Sequence, residues 1–431
     1  MTTPTNAHRR DFIKATAAAG LATAVGGLPA VHAGSNETIR VGLIGCGGRG
    51  SGAAKDVLSS APNVEIYAIA DIWKERHDRF FNELKDFTSQ GKAKEYGNRL
   101  NVSEERRFLG FDAYKKVLDS GVNYVMLCTP PGFRPMHLEA AVKAGKNIFT
   151  EKPVAVDGPG IRKVYAAYEE AKQKGLNIVA GTQRRHQLPY VETIKKLHEG
   201  AIGDIHFMRC YWNQGVLWKV DRTEKMSDLE WQLRNWYNFM WICGDHIVEQ
   251  HIHNIDVCNW VMNDHPIKAR GSGFRTRTDP NFGHIYDHFS IEYEYPKNVF
   301  MHSMCRQISG CWDSVSEQVF GSNGHSDPAG SINGKPTVAR EAVRKAQGPY
   351  VQEHTDLIEA IRSGKTVNEL KTVADSTLTA IMGRMSAYSG KEVTWDAALN
   401  STLDTFPKVL DFNEKYPAPP VPIPGKYKFN T

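Results

Sequence analysis

The 431-residue sequence predicts a two-domain α/β protein: a doubly wound parallel sheet, followed by an α/β domain with a large, mainly antiparallel open sheet. In the first part of the chain, short apolar runs alternate with segments of helical spacing, the pattern of a parallel sheet covered by helices. After about Gln183 the runs lengthen and alternate apolar with polar residues, which indicates an antiparallel sheet with one open face. We therefore place the domains at residues 34–182 and 183–431.

In the first domain, the apolar runs that predict strands are Ile39–Ile44, Val64–Ala70, Tyr124–Cys128, Asn147–Phe149 and Asn177–Ala180. Helical spacing begins after Gly48 and recurs at Met136–Lys143 and Ile161–Gln173. The polar stretch from about Phe87 to Arg107 predicts a loop on the surface.

In the second domain, alternation predicts strands at Ile205–Tyr211, His288–Tyr293, Val299–Met304 and Val315–Phe320. Long helices are predicted at Asp245–Met262 and Val373–Tyr388. The proline-rich tail from about residue 416 cannot continue a helix or an inner strand, so we expect it to run extended over the surface.

The first 33 residues have the composition of a twin-arginine export signal. Arg9 and Arg10 precede an apolar residue and Lys14, an Ala/Gly-rich stretch follows, and Val31-His32-Ala33 offers a small-x-small cleavage site. The apolar stretch is too short and too rich in Ala and Gly for a stable membrane anchor. These features predict a periplasmic protein exported by the twin-arginine pathway.

The formal net charge of +5 includes no basic block, so we expect no nucleic-acid partner.

Gly45-Cys46-Gly47-Gly48-Arg49-Gly50 is a G-x-G-x-x-G motif between the first predicted strand and a helix, the context that dinucleotide binding requires. Gly45 allows the turn, Gly47 admits the pyrophosphate, and Gly50 lets helix pack on strand. Gly48 and Arg49 begin the helix whose positive end meets the phosphates. Asp71 ends the second strand, where a carboxylate binds ribose hydroxyls and repels a 2′-phosphate. The motif predicts a Rossmann domain that favours NAD over NADP.

Three segments further along, Cys128–His137, Ala144–Pro153 and Gly181–His186, strongly resemble the Gfo/Idh/MocA family, that is, glucose–fructose oxidoreductase, inositol dehydrogenase and relatives. The likeness covers essentially the whole mature chain. It implies a Rossmann domain and an α/β domain whose open sheet often joins subunits, hence a homodimer or homotetramer. In the family the first two segments frame the nicotinamide, which implies cofactor contacts for Thr129, Pro130, His137, Glu151 and Lys152.

The resemblance also implies that Lys152 reaches the substrate and acts in catalysis. The alternative is that Lys152 only forms a salt bridge at the surface. The second catalytic element of the family is a helix with an acid and a histidine four residues later, which here are Glu249 and His253. That spacing puts both on one helix face, so the carboxylate could orient the imidazole that takes the hydroxyl proton. Inositol-dehydrogenase-like members usually have Asp at the position of Glu249. The alternative for His253 is a buried structural histidine.

A metal site is not expected, because H-E-x-x-H is absent and His251 points away from His253 around a helix. Aromatic residues between Tyr211 and Trp241 suit a sugar ring, although aromatics more often fill cores. The candidate substrate-binding residues are Arg184, Trp212, Asn213, Arg234 and His246.

The sequence thus favours hydride transfer between a sugar-type or cyclitol secondary hydroxyl and a tightly bound NAD. One alternative is an NAD-dependent glycosidase, which would oxidise a ring hydroxyl transiently, eliminate the glycosidic group, add water and reduce the ring again. Another is a non-catalytic, dinucleotide-bound sensor or scaffold.

Overall fold

The computed structural model describes residues 37–429 as two sheets with helices between and around them. The predicted export signal, residues 1–33, lies outside the described residues. The strands of the first sheet are β1 Ile39–Ile44, β2 Val64–Asp71, β3 Arg99–Leu100, β4 Arg107–Leu109, β5 Tyr124–Leu127, β6 Asn147–Thr150 and β7 Ile178–Ala180.

The first sheet is entirely parallel, in the order β3-β2-β1-β5-β6-β7, with β4 also pairing with β2. The chain runs to opposite sides of β1, so the strand order reverses between β1 and β5. In such sheets a crevice opens at the carboxyl ends of the strands at this point. The doubly wound fold predicted from the sequence is confirmed.

Helices connect these strands: α1 Gly48–Leu58, α2 Lys74–Phe87, α3 Gly91–Glu95, α4 Ala113–Asp119, α5 Arg134–Lys143 and α6 Gly158–Gln173. The polar stretch at 87–107 is more ordered than the sequence suggests. It contains α3 and β3 and reaches β4, so it extends the sheet beyond β2. Two- and three-residue strands carry too little apolar pattern to be recognised.

The second sheet has nine strands: β8 Ile205–Gln214, β9 Lys268–Phe274, β10 His288–Tyr295, β11 Val299–Gln307, β12 Ser314–Gly321, β13 Gly324–Asp327, β14 Ser331–Ile332, β15 Lys335–Pro336 and β16 Val393–Thr394. Their order is β15-β14-β13-β12-β8-β11-β10-β9-β16. The β8–β11 pair is parallel and the other pairs are antiparallel. The mainly antiparallel sheet predicted from alternation is confirmed.

The remaining helices are α7 Leu188–His198, α8 Asp228–Arg234, α9 Met240–Cys243, α10 His246–Glu249, α11 Ile252–Met262, α12 Arg340–Lys345, α13 Pro349–Ser363, α14 Leu370–Ser389 and α15 Trp395–Asn400. Helix α14 is buried along almost its whole length, because it packs against β9 and β10 on one side and α6 on another. It thereby joins the two sheets into one core.

Helix α13 belongs by sequence to the predicted second domain, yet it completes the core of the first. Leu357, Ile358 and Ile361 are fully buried in the apolar cluster of the first sheet, where α13 packs against α1, β6 and β7. A parallel sheet needs apolar cover on both faces, and α13 supplies part of one. The domain boundary at 182–183 stays a prediction.

The prediction of a single helix over residues 245–262 is wrong. The structure breaks it into α10 and α11, and Gln250 and His251 form the turn between them. The amide of His251 donates to the carbonyl of His246, five residues back, at 3.2 Å, so the regular helical ladder is interrupted here. Apolar spacing continues across the break, which is why the sequence reads as one helix.

Candidate active site

The glycine loop between β1 and α1 leaves its backbone open to a ligand. Gly45 has a φ of +100°, a conformation that favours glycine. A Cβ on Gly50 would overlap the main-chain oxygen of Gly45, so this glycine is needed for the close contact of helix and turn. Open space lies beside Gly48 at the start of α1. The cradle fits a pyrophosphate against the positive end of a helix.

Asp71, at the carboxyl end of β2, is held in place by two backbone amides. Its carboxylate accepts from the Cys46 amide at 2.8 Å and from the Trp73 amide at 3.0 Å. The side chain of Arg76 lies 3.8 Å away. The carboxylate is therefore fixed beside the glycine loop, where a dinucleotide places its adenosine ribose.

Arg49 and Glu151 join the glycine loop to the end of β6. The Arg49 guanidinium donates to the Glu151 carboxylate, and its other nitrogens lie 3.1 Å from Asp56 and 3.8 Å from Glu353. Burial opposes ionisation of Glu151, but Arg49 and Lys152 outweigh it and lower the pKa of that carboxyl group. Glu151 thus stays an anion that holds Arg49 beside the loop.

Thr129 and Pro130, which follow β5, form a second edge of the site. The Thr129 hydroxyl lies 3.1 Å from Nδ1 of His137, and Arg134 donates to the Thr129 carbonyl. Burial, reinforced by the charge of Arg134, lowers the pKa of His137 to about 3. A neutral His137 therefore braces the turn and does not exchange protons near neutral pH.

Lys152 is tied to the turn between α10 and α11. Its ammonium group donates to the Glu249 carboxylate at 3.1 Å and to the Glu249 carbonyl at 2.8 Å. Both side chains of the pair are only 10% exposed. Lys152 and Glu249, together with Arg49 and Glu151, form what we call the charged cluster.

His253, at the start of α11, stacks on the indole ring of Trp212, with 5.7 Å between ring centroids and 27° between planes. Burial lowers the pKa of His253 well below 6.5, and the positive charges of Lys152 and Arg184 lower it further. The ring is therefore neutral at physiological pH and has a nitrogen lone pair free to accept a proton.

One cavity of about 480 Å³ collects these groups. It is lined by the three candidate catalytic residues, Lys152, Glu249 and His253. It is also lined by every predicted cofactor residue except Gly50, namely Gly45, Gly47, Gly48, Arg49, Asp71, Thr129, Pro130, His137, Glu151 and Lys152. The sequence assigns Gly50 to helix packing, and its place beneath the loop agrees with that assignment.

Comparison with known proteins agrees with this geometry. Residues 39–180 match the model of the Gfo/Idh/MocA oxidoreductase family, described as an NAD-binding Rossmann fold. This part of the chain is thus an NAD-binding domain of the Gfo/Idh/MocA type. Residues 6–26 match the twin-arginine translocation signal, so the predicted export signal is confirmed as well.

The curated proteins to which the chain is similar include inositol dehydrogenases. The inositol 2-dehydrogenase of Rhizobium meliloti is 26% identical over 54% of this chain and 57% of its own length. The scyllo-inositol 2-dehydrogenase (NAD(+)) of Bacillus subtilis is 24% identical over 38% of this chain and 42% of its own. The chain thus spans about half the length of these relatives.

Solved Gfo/Idh/MocA-like structures share the fold over most of the chain. Scyllo-inositol dehydrogenase from Lactobacillus casei, with NAD(H) and scyllo-inositol bound, aligns with a TM-score of 0.61 at 17% identity, over 83% of this chain and 99% of its own. Aldose-aldose oxidoreductase from Caulobacter crescentus, complexed with glycerol, aligns with a TM-score of 0.61 at 18% identity, over the same shares.

One expectation for the catalytic pair has to be corrected. The sequence predicts that Glu249 orients His253 across one helix face, but the break between α10 and α11 separates the two residues. The Glu249 carboxylate pairs with Lys152 instead. The stacking of His253 on Trp212 supplies the orientation that was expected from a carboxylate.

The five candidate substrate residues all lie outside the cavity lining. His246 is 1% exposed and packs against Phe289, because its short helix turns it into the core of the second sheet. Arg234 lies over the ring of Trp73 at 3.8 Å, and ion pairs with Glu75 and Glu230 hold it there. Neither side chain lines the cavity in this structure, and the two substrate assignments stay predictions.

Arg184, Trp212 and Asn213 do not line the cavity, although Trp212 contacts His253, which does. Arg184 pairs with Glu317 and lies 5.8 Å from the Trp212 ring, which in turn stacks on His253. Asn213 is 1% exposed.

The structure adds several residues that the sequence analysis did not assign to the cavity: Trp73, Arg76, Phe111, Phe133, Arg134, Trp236, Gln250 and Tyr350. Trp73 lies two residues after Asp71, so its place at the carboxyl edge of the sheet could have been predicted from the sequence. Tyr350 lies at the start of α13, far along the chain, and no local pattern connects it with the glycine loop.

Within residues 37–429, no group of three or more His, Cys, Asp or Glu side chains is placed to hold a metal ion. None of the helices in that range combines the length and apolar character that a bilayer crossing requires.

Proposed function

We propose that this protein transfers hydride between a secondary hydroxyl of a sugar or cyclitol and a retained NAD. One observation carries the proposal. A lysine–glutamate ion pair and a neutral histidine meet in the same cavity as a glycine cradle and a ribose-binding carboxylate. Removal of hydride from an alcohol requires a proton acceptor for its hydroxyl, and the cavity provides candidates beside the cofactor site.

The chain's own residues divide the proton chemistry between them. Neutral His253 accepts the hydroxyl proton as the carbonyl forms, and returns it in the reverse direction. The ammonium of Lys152, held by Glu249, donates a hydrogen bond to the same oxygen and stabilises the charge that develops there. NAD, when bound at Gly45–Gly50 and Asp71, supplies the hydride acceptor.

The substrate class is inferred from the relatives, which are named as inositol dehydrogenases and an aldose oxidoreductase. We extend that class to this chain: a polyhydroxylated ring with a free secondary hydroxyl. These relatives give no support to the glycosidase alternative.

We further propose that the protein works in the periplasm and keeps its cofactor through turnover. The twin-arginine pathway carries folded proteins, so a bound dinucleotide can be exported with the chain. A cofactor that does not leave must return to its starting oxidation state on the protein, by a second substrate or a later step. Purified protein should then carry nearly stoichiometric dinucleotide and show ping-pong kinetics without added NAD. An empty protein that needs NAD in solution would contradict retention.

We also propose that the open face of the second sheet joins subunits into a homodimer or homotetramer. Phe207 is 39% exposed and contacts Phe320, and Trp312 beside Tyr211 is 57% exposed. Light scattering should show a multimer that Phe207→Lys with Phe320→Lys dissociates. Ile423→Lys, an exposed position in the tail, should leave the multimer intact.

The activity is tested by single turnover with a panel of sugars and cyclitols deuterated at individual carbons. Reduced nicotinamide should form with one class of substrate, and deuterium at the reacting carbon should slow its formation. Lys152→Met is the control for non-enzymatic reduction. A protein fully loaded with NAD that oxidises no member of the panel would favour the sensor alternative.

A further inference from the structure

Three aromatic side chains line the cavity on the side of Asp71. Trp73 follows β2, Phe111 follows β4 and Phe133 follows β5, so all three come from the carboxyl edge of the parallel sheet. We call Trp73, Phe111 and Phe133 the aromatic wall. A flat apolar surface beside a ribose-binding carboxylate is suited to packing against the face of a planar base.

The back of the aromatic wall is covered by residues 403–424, the tail segment, which is far from the parallel sheet in sequence. The ring of Phe412 lies 5.5 Å from that of Trp73 and 5.4 Å from that of Phe111. The ring of Phe406 lies 5.2 Å from that of Phe133, edge to face. Each member of the wall is thus backed by an aromatic ring of the tail segment.

The tail segment is fastened at two points on either side of these contacts. The Thr405 amide and hydroxyl donate to the Asp157 carboxylate at 3.0 and 2.8 Å. Further on, the Tyr416 amide donates to Asp228 at 3.0 Å, and Gln232 donates to the Tyr416 carbonyl at 2.6 Å. Between the fastenings the chain is open to solvent, and Val409 is 59% exposed. The span therefore depends on its aromatic contacts to stay closed.

We propose that Phe412, with Phe406, is a positioning residue for the dinucleotide: by backing the aromatic wall, the tail segment slows release of the cofactor. The inference deepens the retained NAD of the proposed function and does not depend on the substrate. Without Phe412, Trp73 and Phe111 lose their packing partner and the wall can move outwards.

The test is the rate at which bound NADH leaves each variant. Protein loaded with NADH is mixed with excess NAD, and the fluorescence of the reduced nicotinamide is followed. Phe412→Ala should release NADH about tenfold faster, since about 1.4 kcal/mol of lost packing corresponds to a factor of ten. Phe412→Leu should lie in between. Val409→Ala, which changes an exposed position of the same span, should match the wild type.

A Phe412→Ala protein that keeps the wild-type unfolding temperature and the wild-type release rate would overturn the proposal. If the wild type itself releases NADH rapidly, the proposal of a retained cofactor fails. The ratio of the Phe412→Ala release rate to the wild-type rate still tests the role of Phe412. If no sugar or cyclitol reacts, the substrate assignment fails and this measurement is unaffected.

Limited proteolysis gives a second readout on the unaltered chain. Lys408 and Lys415 are exposed and flank Phe412, so trypsin can excise that stretch once the span opens. Because binding and closure are reciprocal, NADH should slow cleavage at both sites several-fold. Cleavage at exposed Lys297, on the second sheet, should not change. Equal cleavage at Lys408 and Lys415 with and without NADH would count against the coupling.

Discussion

The charged cluster and the aromatic wall line the same cavity but are built by different forces. The charged cluster is held by directional contacts, such as the 3.1 Å pair of Lys152 with Glu249, whose two side chains are each only 10% exposed. The aromatic wall is held by ring packing against a solvent-open segment. Directional contacts fix a proton donor in place, whereas packing sets how easily a wall moves. The two regions should therefore govern different steps, turnover in one case and cofactor release in the other.

The largest effect is expected at Lys152. Lys152→Met keeps the length of the side chain but removes the ammonium group, so turnover should fall by roughly 100-fold or more. NADH release should stay near the wild-type rate, since the aromatic wall is untouched. Single-turnover reduction and the displacement assay measure the two quantities. Near-normal turnover would remove Lys152 from the mechanism.

His253→Ala should lower turnover by roughly 100-fold as well and change its pH dependence. Because the folded-state pKa of His253 is depressed, the ring stays neutral at neutral pH and is protonated only well below pH 6.5. The wild-type rate should therefore hold on acidification through pH 6.5 and fall only below it, and the variant should lack that fall. A wild-type midpoint at or above 6.5 would contradict the buried, neutral ring.

Glu249→Gln should have a smaller effect, about tenfold on turnover, because Lys152 keeps its hydrogen bond to the main-chain carbonyl at 2.8 Å. Glu249→Asp restores the charge with a shorter reach and is the matched control, expected to recover part of the rate. If Gln and Asp variants behave alike, the charge of Glu249 has no part in positioning Lys152.

Asp71→Ser removes no residue assigned to proton transfer and should give the smallest effect on turnover. The affinity for NAD should fall several-fold, and discrimination against NADP should decrease because the charge that repels the 2′-phosphate is gone. Arg76, which lies 3.8 Å from the Asp71 carboxylate, remains in place. The double variant Asp71→Ser with Arg76→Ala should lose the increase in NADP affinity. Titration of both dinucleotides checks this, and a wild type that already prefers NADP would show that Asp71 is misassigned.

The site also differs in which of its parts could be predicted from the sequence. The glycine loop, Asp71 and Lys152 sit at strand ends within short motifs, so local spacing is enough to place them. The contacts that orient them are long-range: Lys152 with Glu249, Phe412 with Trp73, and Tyr350 near Arg49. No periodicity within a segment encodes such pairs.

The candidate substrate residues also show that local sequence patterns do not encode long-range contacts. Arg234 and His246 are the right residue types for binding hydroxyls, but ion pairs and core packing use them elsewhere. Their placement depends on where α8 ends and where α10 begins, and apolar spacing continues through the break at Gln250. Helix boundaries decide which way a side chain points, and they are set by packing that a single segment does not reveal.

The parallel pair at the centre of the second sheet has a consequence for how the chain reaches this form. Strand β8 cannot complete its pairing until β11 has been made, as Phe207 lies beside Phe300. The loop closed by that pairing includes α8 to α11, and with them Glu249 and His253. Joining strands so distant in sequence is entropically costly and slow. If the twin-arginine signal exports the chain already folded, this closure has to precede passage through the membrane. The pairing of β8 with β11, which fixes the segment that carries Glu249 and His253, must then be complete before export.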